Sequence, residues 1–118
     1  MRPNRLLATL SALAAAAALT ASASAALAAS IGQITAHPGQ FDGENVSVTG
    51  YVKIRGEVGW LQLCDEAMTC IYLDNAEPLR AKVDQRVTLE GHFLAHATLR
   101  FTPVNNVLVV RDPNVTTP

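Results

Sequence analysis

This sequence predicts an all-β domain: five strands closed into a small barrel, with one short helix ahead of the strands and another between the third and fourth. Three observations carry that expectation. From Val46 the apolar pattern has a period of two, with Val46, Val48, Gly50, Val52 and Ile54 on one side and Ser47, Thr49, Tyr51, Lys53 and Arg55 on the other. The same alternation returns in shorter stretches further along, separated by Gly-, Asp- and Asn-containing breaks. After the third stretch the pattern lapses, and Glu77 to Val83, with Pro78 near its start, can form one or two helical turns.

Each element has its own signal. Ser30 followed three residues later by Gln33 is a capping-box pattern, and it predicts a short helix from Ile31 to about Ala36 with Ile31 and Ile34 on one face. His37 precedes Pro38, which disfavours continued helix, so Pro38-Gly39 is expected to be a turn; Phe41 and Asp42-Gly43 then lead into the first strand. Gly56 and Gly59 bracket a tight turn, after which Leu61 and Leu63 continue the apolar face while Trp60, Gln62 and Cys64 point away. Ile71 and Leu73 repeat that pattern against Cys70, Tyr72 and Asp74. Val87, Leu89, Gly91 and Phe93, alternating with Thr88, Glu90 and His92, make a fourth strand that should end in a turn near His96. Thr98 to Phe101 and Val104 to Val110 supply the last strand or strands, with Pro103 and Asn105-Asn106 as interruptions, and residues 113–118 read as a flexible tail after a domain over 30–112.

Strand, strand, strand, short helix, strand, strand is the order of the five-stranded OB barrel, and Gly50 suits a first strand that must bend between two halves of the sheet. On Pro38, Phe41-Asp42-Gly43, the run Val46 to Val52 and the later run Gln85 to Phe93, the chain resembles small exported bacterial OB-fold domains, a family largely uncharacterised. The resemblance covers most of the chain after its leader and implies a barrel; it says little about function. Exported OB-fold haem chaperones carry a His followed four residues later by Tyr, whereas here His92 is followed by His96 and His96 by Arg100, so no haem is expected.

Met1 to Ala29 has the three zones of a secretory signal peptide: Arg2 and Arg5, an uncharged run from Leu6 to Leu19, and small residues after it. Its Ala-rich centre, without a long Leu/Ile/Val block, argues against an uncleaved membrane anchor. Ala26-Leu27-Ala28 places small residues third and first before a cut, which puts the mature start at Ala29 or Ser30; Ala23-Ser24-Ala25 is a second candidate. No cysteine follows the site, so a lipoprotein is not expected. Cutting after Ala29 leaves 118 − 29 = 89 residues, a single small domain in the periplasm or outside the cell. Without Arg2 and Arg5 the formal charge is 7 − 10 = −3, which weighs against nucleic acid and against anionic lipid surfaces.

Two cysteines in an oxidising compartment predict a disulfide. If Cys64 and Cys70 face each other in a hairpin, the same register pairs Leu63 with Ile71, Leu61 with Leu73, Gln62 with Tyr72 and Trp60 with Asp74, and every apolar pair falls on one face. The opposite face then collects Tyr51, Trp60 and Tyr72 as aromatic platforms with Lys53, Arg55 and Gln62 beside them, a ligand face of the kind OB folds use for extended partners. Aromatics in that position also serve a sheet simply by covering it, or by receiving the amino-terminal helix. A protein or glycan partner is the expectation, single-stranded nucleic acid the alternative, and Cu(I) at Cys64, Met68 and Cys70 a third reading that requires reduced thiols. His37, His92 and His96 form no ligand set, no cofactor is expected, and no nucleophile elbow, zincin motif, phosphate loop or Cys-x-x-Cys pair points to an enzyme.

Overall fold

The computed structural model describes residues 25–114. Most of the expected leader, and residues 115–118 of the expected tail, lie outside the described residues. In chain order the elements are β1 (Leu27–Ala28), α1 (Ile31–Ala36), α2 (Pro38–Phe41), β2 (Asn45–Arg55), β3 (Trp60–Cys64), β4 (Cys70–Asp74), a 3-10 helix (Glu77–Lys82), β5 (Arg86–Leu99) and β6 (Thr102–Val110). All six strands belong to one mixed sheet in the order β1-β2-β3-β4-β6-β5, and β5 pairs with β2 as well, so the five long strands form a closed cycle. Within that cycle β4 and β6 run parallel and the other neighbours antiparallel.

Closure depends on β2 changing partners. Its first part, Asn45 to Tyr51, pairs with β5, and its last part, Tyr51 to Arg55, pairs with β3. The change falls beside Gly50, where a Cβ would sit 2.9 Å from the Cys64 carbonyl oxygen, 2.9 Å from Ile31 Cδ1 and 3.0 Å from Leu63 Cγ. Glycine is thus required by close approach at the bend the sequence assigned to it. Val46, Val48 and Val52 point inward with Leu63, Ile71, Leu89, Phe93 and Leu108, all fully or almost fully buried.

The amino-terminal segment closes the core. Ser30 Oγ accepts from the Gln33 amide at 3.0 Å, and Gln33 Oε1 accepts from the Ser30 amide at 2.8 Å, which is the expected capping box. Ile31 and Ile34 are buried in the same cluster as the inward strand residues. The helix therefore packs into the core and does not lie across the outward aromatic face, the covering role the sequence had left open. Pro38-Gly39 is not a simple turn: Pro38 occupies the first helical turn of α2, where its missing N–H is not needed.

Two expectations about the last strands are corrected. β5 runs unbroken through His96 to Leu99, and β6 passes through Pro103 and Asn105-Asn106 without ending. Pro103 is tolerated because that part of β6 is paired only with β5 among the described residues, so its missing N–H can face an unpaired edge. The ladder does skip the Ala95–Asn106 pair, where Asn106 has φ 61°, and the Ala95 amide donates instead to Asp42 Oδ1 at 2.8 Å. The hairpin turn lies at Arg100-Phe101, and the segment from His96 to Asn105 is a two-stranded arm extending past the strands that pair with β2.

Gly91 gives this closure a test. A Cβ there would collide with the Val109 carbonyl of β6, and a backbone neighbour cannot move aside cheaply. Gly91→Ala is expected to destabilise the domain by about 1–3 kcal/mol, read as a lower midpoint of urea unfolding with an unchanged slope.

Candidate functional site

The strand register brings all six sequence-predicted face residues together. Tyr51 is level with Cys64 and, across β3, with Cys70; Lys53 is level with Gln62 and Tyr72; Arg55 is level with Trp60. Two rows thus cross β2, β3 and β4 and a third, Arg55–Trp60, crosses β2 and β3; apart from the buried Cys64 they are made of residues that alternate with the buried set. Cys64 and Cys70 are joined as a disulfide with a Cα–Cα distance of 4.1 Å, across the hairpin as the register requires. That bond occupies both thiols, so the thiolates of the Cu(I) reading at Cys64, Met68 and Cys70 are not available in this structure. No group of three or more His, Cys, Asp or Glu among the described residues is arranged to hold a metal ion.

The face is not uniformly available to a ligand. Lys53 Nζ is paired with Asp84 Oδ1 at 2.7 Å, which spends its charge within the domain. Arg55 is exposed and its Nη1 lies 3.7 Å from Cys70 Sγ. Trp60 is the most contacted of the aromatics: Tyr72 meets it edge to face, with centroids 5.6 Å apart and planes at 79°, and the Arg100 guanidinium sits 5.2 Å from the indole centroid.

Beyond Trp60 the sheet opens. The β3–β4 ladder runs from Cys64–Cys70 to Gln62–Tyr72, and the two further pairs expected from the sequence, Leu61–Leu73 and Trp60–Asp74, are not in it. Those four residues line a cleft of about 300 Å³ together with Asn75, Ala76, Glu77, Pro78, Arg80, Leu99 and Arg100. Its floor is apolar and its rim carries both signs of charge. Arg80 grips Glu77 through two bonds of 3.0 Å and donates a third, of 3.2 Å, to the Gly59 carbonyl, tying the 3-10 helix to the β2–β3 turn.

The arm completes the site with residues that sequence reasoning missed. Arg100 Nη1 donates to the Val58 carbonyl at 2.7 Å, which holds the β5–β6 tip against the β2–β3 tip. Phe101 beside it is 100 % exposed and Val58 is 58 % exposed. Arg100 and Phe101 both have left-handed backbones, with φ of 49° and 64°. Such a pair of positive φ values is the signature of a type I′ turn, which normally uses Asn-Gly because bulky residues pay a steric cost there. No turn residue marked the spot; the signal available was the symmetry of apolar alternation about Arg100-Phe101.

No family model and no curated protein matches the chain. Among solved structures it is similar to a DUF3299 family protein from Pseudomonas aeruginosa PAO1, at 17 % identity and a TM-score of 0.42, over 67 % of this chain and 63 % of that one. The chain therefore spans somewhat less than two thirds of the length of that relative.

The Arg80 grip has a pH consequence. Its hydrogen bonds to Glu77, opposed by desolvation and aided by the charges of Arg80 and Arg100, hold the Glu77 carboxyl below its ordinary value of 4.5. A lowered folded-state value means the pair's contribution is complete above the unfolded value and is lost as pH falls through the folded one. A carboxyl-detected NMR titration is expected to place the Glu77 midpoint below 4.5, and Arg80→Ala to move it back up.

Proposed function

We propose that the chain is an exported, non-enzymatic OB-fold module, periplasmic or secreted, that binds a protein partner through the outward face of β2–β4 extended by the two hairpin tips. The closed strand order, the parallel β4–β6 pair and the helix between β4 and β5 support the OB reading. The disulfide fits an oxidising compartment, and no helix among the described residues is long and apolar enough to cross a membrane.

The observation that carries the binding reading is the Arg100-Phe101 tip. Left-handed backbone costs a bulky residue roughly 1–2 kcal/mol, and strain of that kind is retained where it serves function. Here it holds a phenylalanine wholly in solvent, next in sequence to the Arg100 that bonds to Val58 and sits over Trp60. Trp, Tyr and Arg around an apolar anchor are the residues that dominate protein interfaces. With Lys53 and Arg80 already paired, Arg55, Arg100 and, level with Tyr51, Arg86 are cations the face offers, which suits a partner with an apolar pocket and an acidic rim.

The test is photo-crosslinking in the exporting cell, with p-benzoylphenylalanine in place of Phe101 and, as a control on β5, in place of His92. A discrete adduct from position 101, absent from position 92 and lost in the Trp60→Ala background, is the expected result. Equal labelling from both positions overturns the reading. Where a partner is captured, Trp60→Ala is expected to weaken it by on the order of thirtyfold or more while leaving the fold intact.

Replacing Arg100-Phe101 by Asn-Gly separates the tip's function from its structure. The pair suits the turn, so stability should rise by about 1–2 kcal/mol while binding of the captured partner falls. A loss of stability would instead make the tip structural.

A glycan is the second reading, and the cleft favours it. Trp60 supplies an aromatic wall and Asp74, Asn75 and Glu77 supply planar polar groups at the rim. Pull-down on purified peptidoglycan sacculi that is lost in Trp60→Ala but indifferent to Phe101→Ser would select it. Single-stranded nucleic acid has less support, because the expected mature domain is acidic and two of the face's cations are committed to internal pairs.

A further inference from the structure

The stretch from Ala23 to Ser30 offers a processing enzyme two sites. Ala23-Ser24-Ala25 and Ala26-Leu27-Ala28 both put small residues third and first before a bond, so composition alone does not choose between them. The fold does distinguish them. Leu27 and Ala28 form β1, parallel to β2, with Leu27 level with Val46 and Ala28 level with Ser47. The Ala29 amide donates to the Ser47 carbonyl at 3.1 Å, and Ala29 packs against the core.

We propose that the leader is cut between Ala25 and Ala26, so that β1 is retained as the first strand of the mature domain. The inference rests on the export reading. The step is hydrolysis by a leader peptidase: water adds across the Ala25–Ala26 amide, leaving a carboxylate on Ala25 and a protonated amine on Ala26.

Three physical arguments favour this bond. A cut after Ala28 removes β1 and leaves the edge of β2 at Val46 and Ser47 without the strand that covers it, and exposed edges invite pairing with other chains. A cut after Ala29 converts the Ser30 amide, which donates to Gln33 Oε1 at 2.8 Å, into a charged amine beside the unpaired N–H groups of the first turn of α1, where positive charge is unfavourable. It would also place Leu27 third before the bond, where a small residue is needed. Finally, a peptidase that reads Ala26-Leu27-Ala28 must hold those residues itself, in competition with β2. Ala25, the last residue of the earlier site, lies outside β1.

Cleavage at Ala25 would choose the second candidate site over a mature start at Ala29 or Ser30, and it would keep Ala26 to Ala29 available to cover β2. The experiment is expression of the full precursor in a bacterium, followed by intact mass and amino-terminal sequencing of the periplasmic fraction. A mature chain beginning at Ala26 is the expected result; one beginning at Ala29 or Ser30 overturns the proposal while leaving export standing. An uncut chain retained in the cytoplasm overturns export as well, and its mass tells the two failures apart. Two variants sharpen the reading. Ala25→Leu puts a bulky residue immediately before the proposed bond and is expected to block processing there, whereas Ala28→Leu, at an exposed position of β1, is expected to leave the cut at Ala26 unchanged. Blocked processing in Ala28→Leu, or normal processing in Ala25→Leu, also overturns it.

Discussion

The change of partners along β2 is the constraint on which the rest of the structure depends. One strand must be a neighbour of β5 over its first part and of β3 over its last, because only then do the strands close into a cycle and bury both sheet halves against each other. The bend needs a residue without a side chain on the inward side, and Gly50 stands where the Cys64 carbonyl, Ile31 and Leu63 converge. Because side-chain direction alternates strictly, fixing Gly50 inward also fixes Tyr51, Lys53 and Arg55 outward. The position of the candidate face is therefore set by the core. A register slip of one residue would invert both together.

The β3–β4 hairpin is held at one end and open at the other. The Cys64–Cys70 disulfide lies at the loop end, and closing so short a loop contributes on the order of 2 kcal/mol in the chain-entropy model. At the other end β4 pairs with β6 through Tyr72, Leu73 and Asp74, while its ladder with β3 stops at Gln62–Tyr72, short of Trp60. The cleft lies where that ladder stops. Arg80 and Arg100 brace it, one through Gly59 and Glu77 and the other through Val58.

The sequence made legible what local pattern alone decides. Period-two alternation located β2 to β5 and sorted inward from outward residues, the Ser30/Gln33 capping box located α1 to the residue, and cysteine parity fixed the β3–β4 register over the three pairs that form. It failed where tertiary partners override local preference. Leu61–Leu73 and Trp60–Asp74 obey the same parity but are absent from the ladder, although Leu73 and Asp74 keep their pairing with β6 on the other edge of β4. Pro103 and Asn105-Asn106 are residues typical of turns, yet β5 pairs with β6 on both sides of them and skips only the Ala95–Asn106 pair. Arg80 and Arg100 lie outside the strand rows altogether, so nothing periodic could connect them to Trp60.

That inversion of turn chemistry bears on function. Asn106 adopts the left-handed backbone its side chain tolerates, yet it does so inside β6, where the price is one skipped ladder pair whose Ala95 amide is satisfied by Asp42. Five and six residues earlier, the true hairpin turn is made by two residues that tolerate the same backbone poorly. The stability argument alone would place the Asn at the turn and the bulky pair in the strand. Arg100 offsets part of the strain through its bond to Val58 and its contact with the Trp60 ring. Phe101 makes no such return, since it is wholly exposed, so folding supplies no reason for a phenylalanine at that position. The partner contact proposed above would supply one, at the end of the arm where Arg100 bonds to Val58.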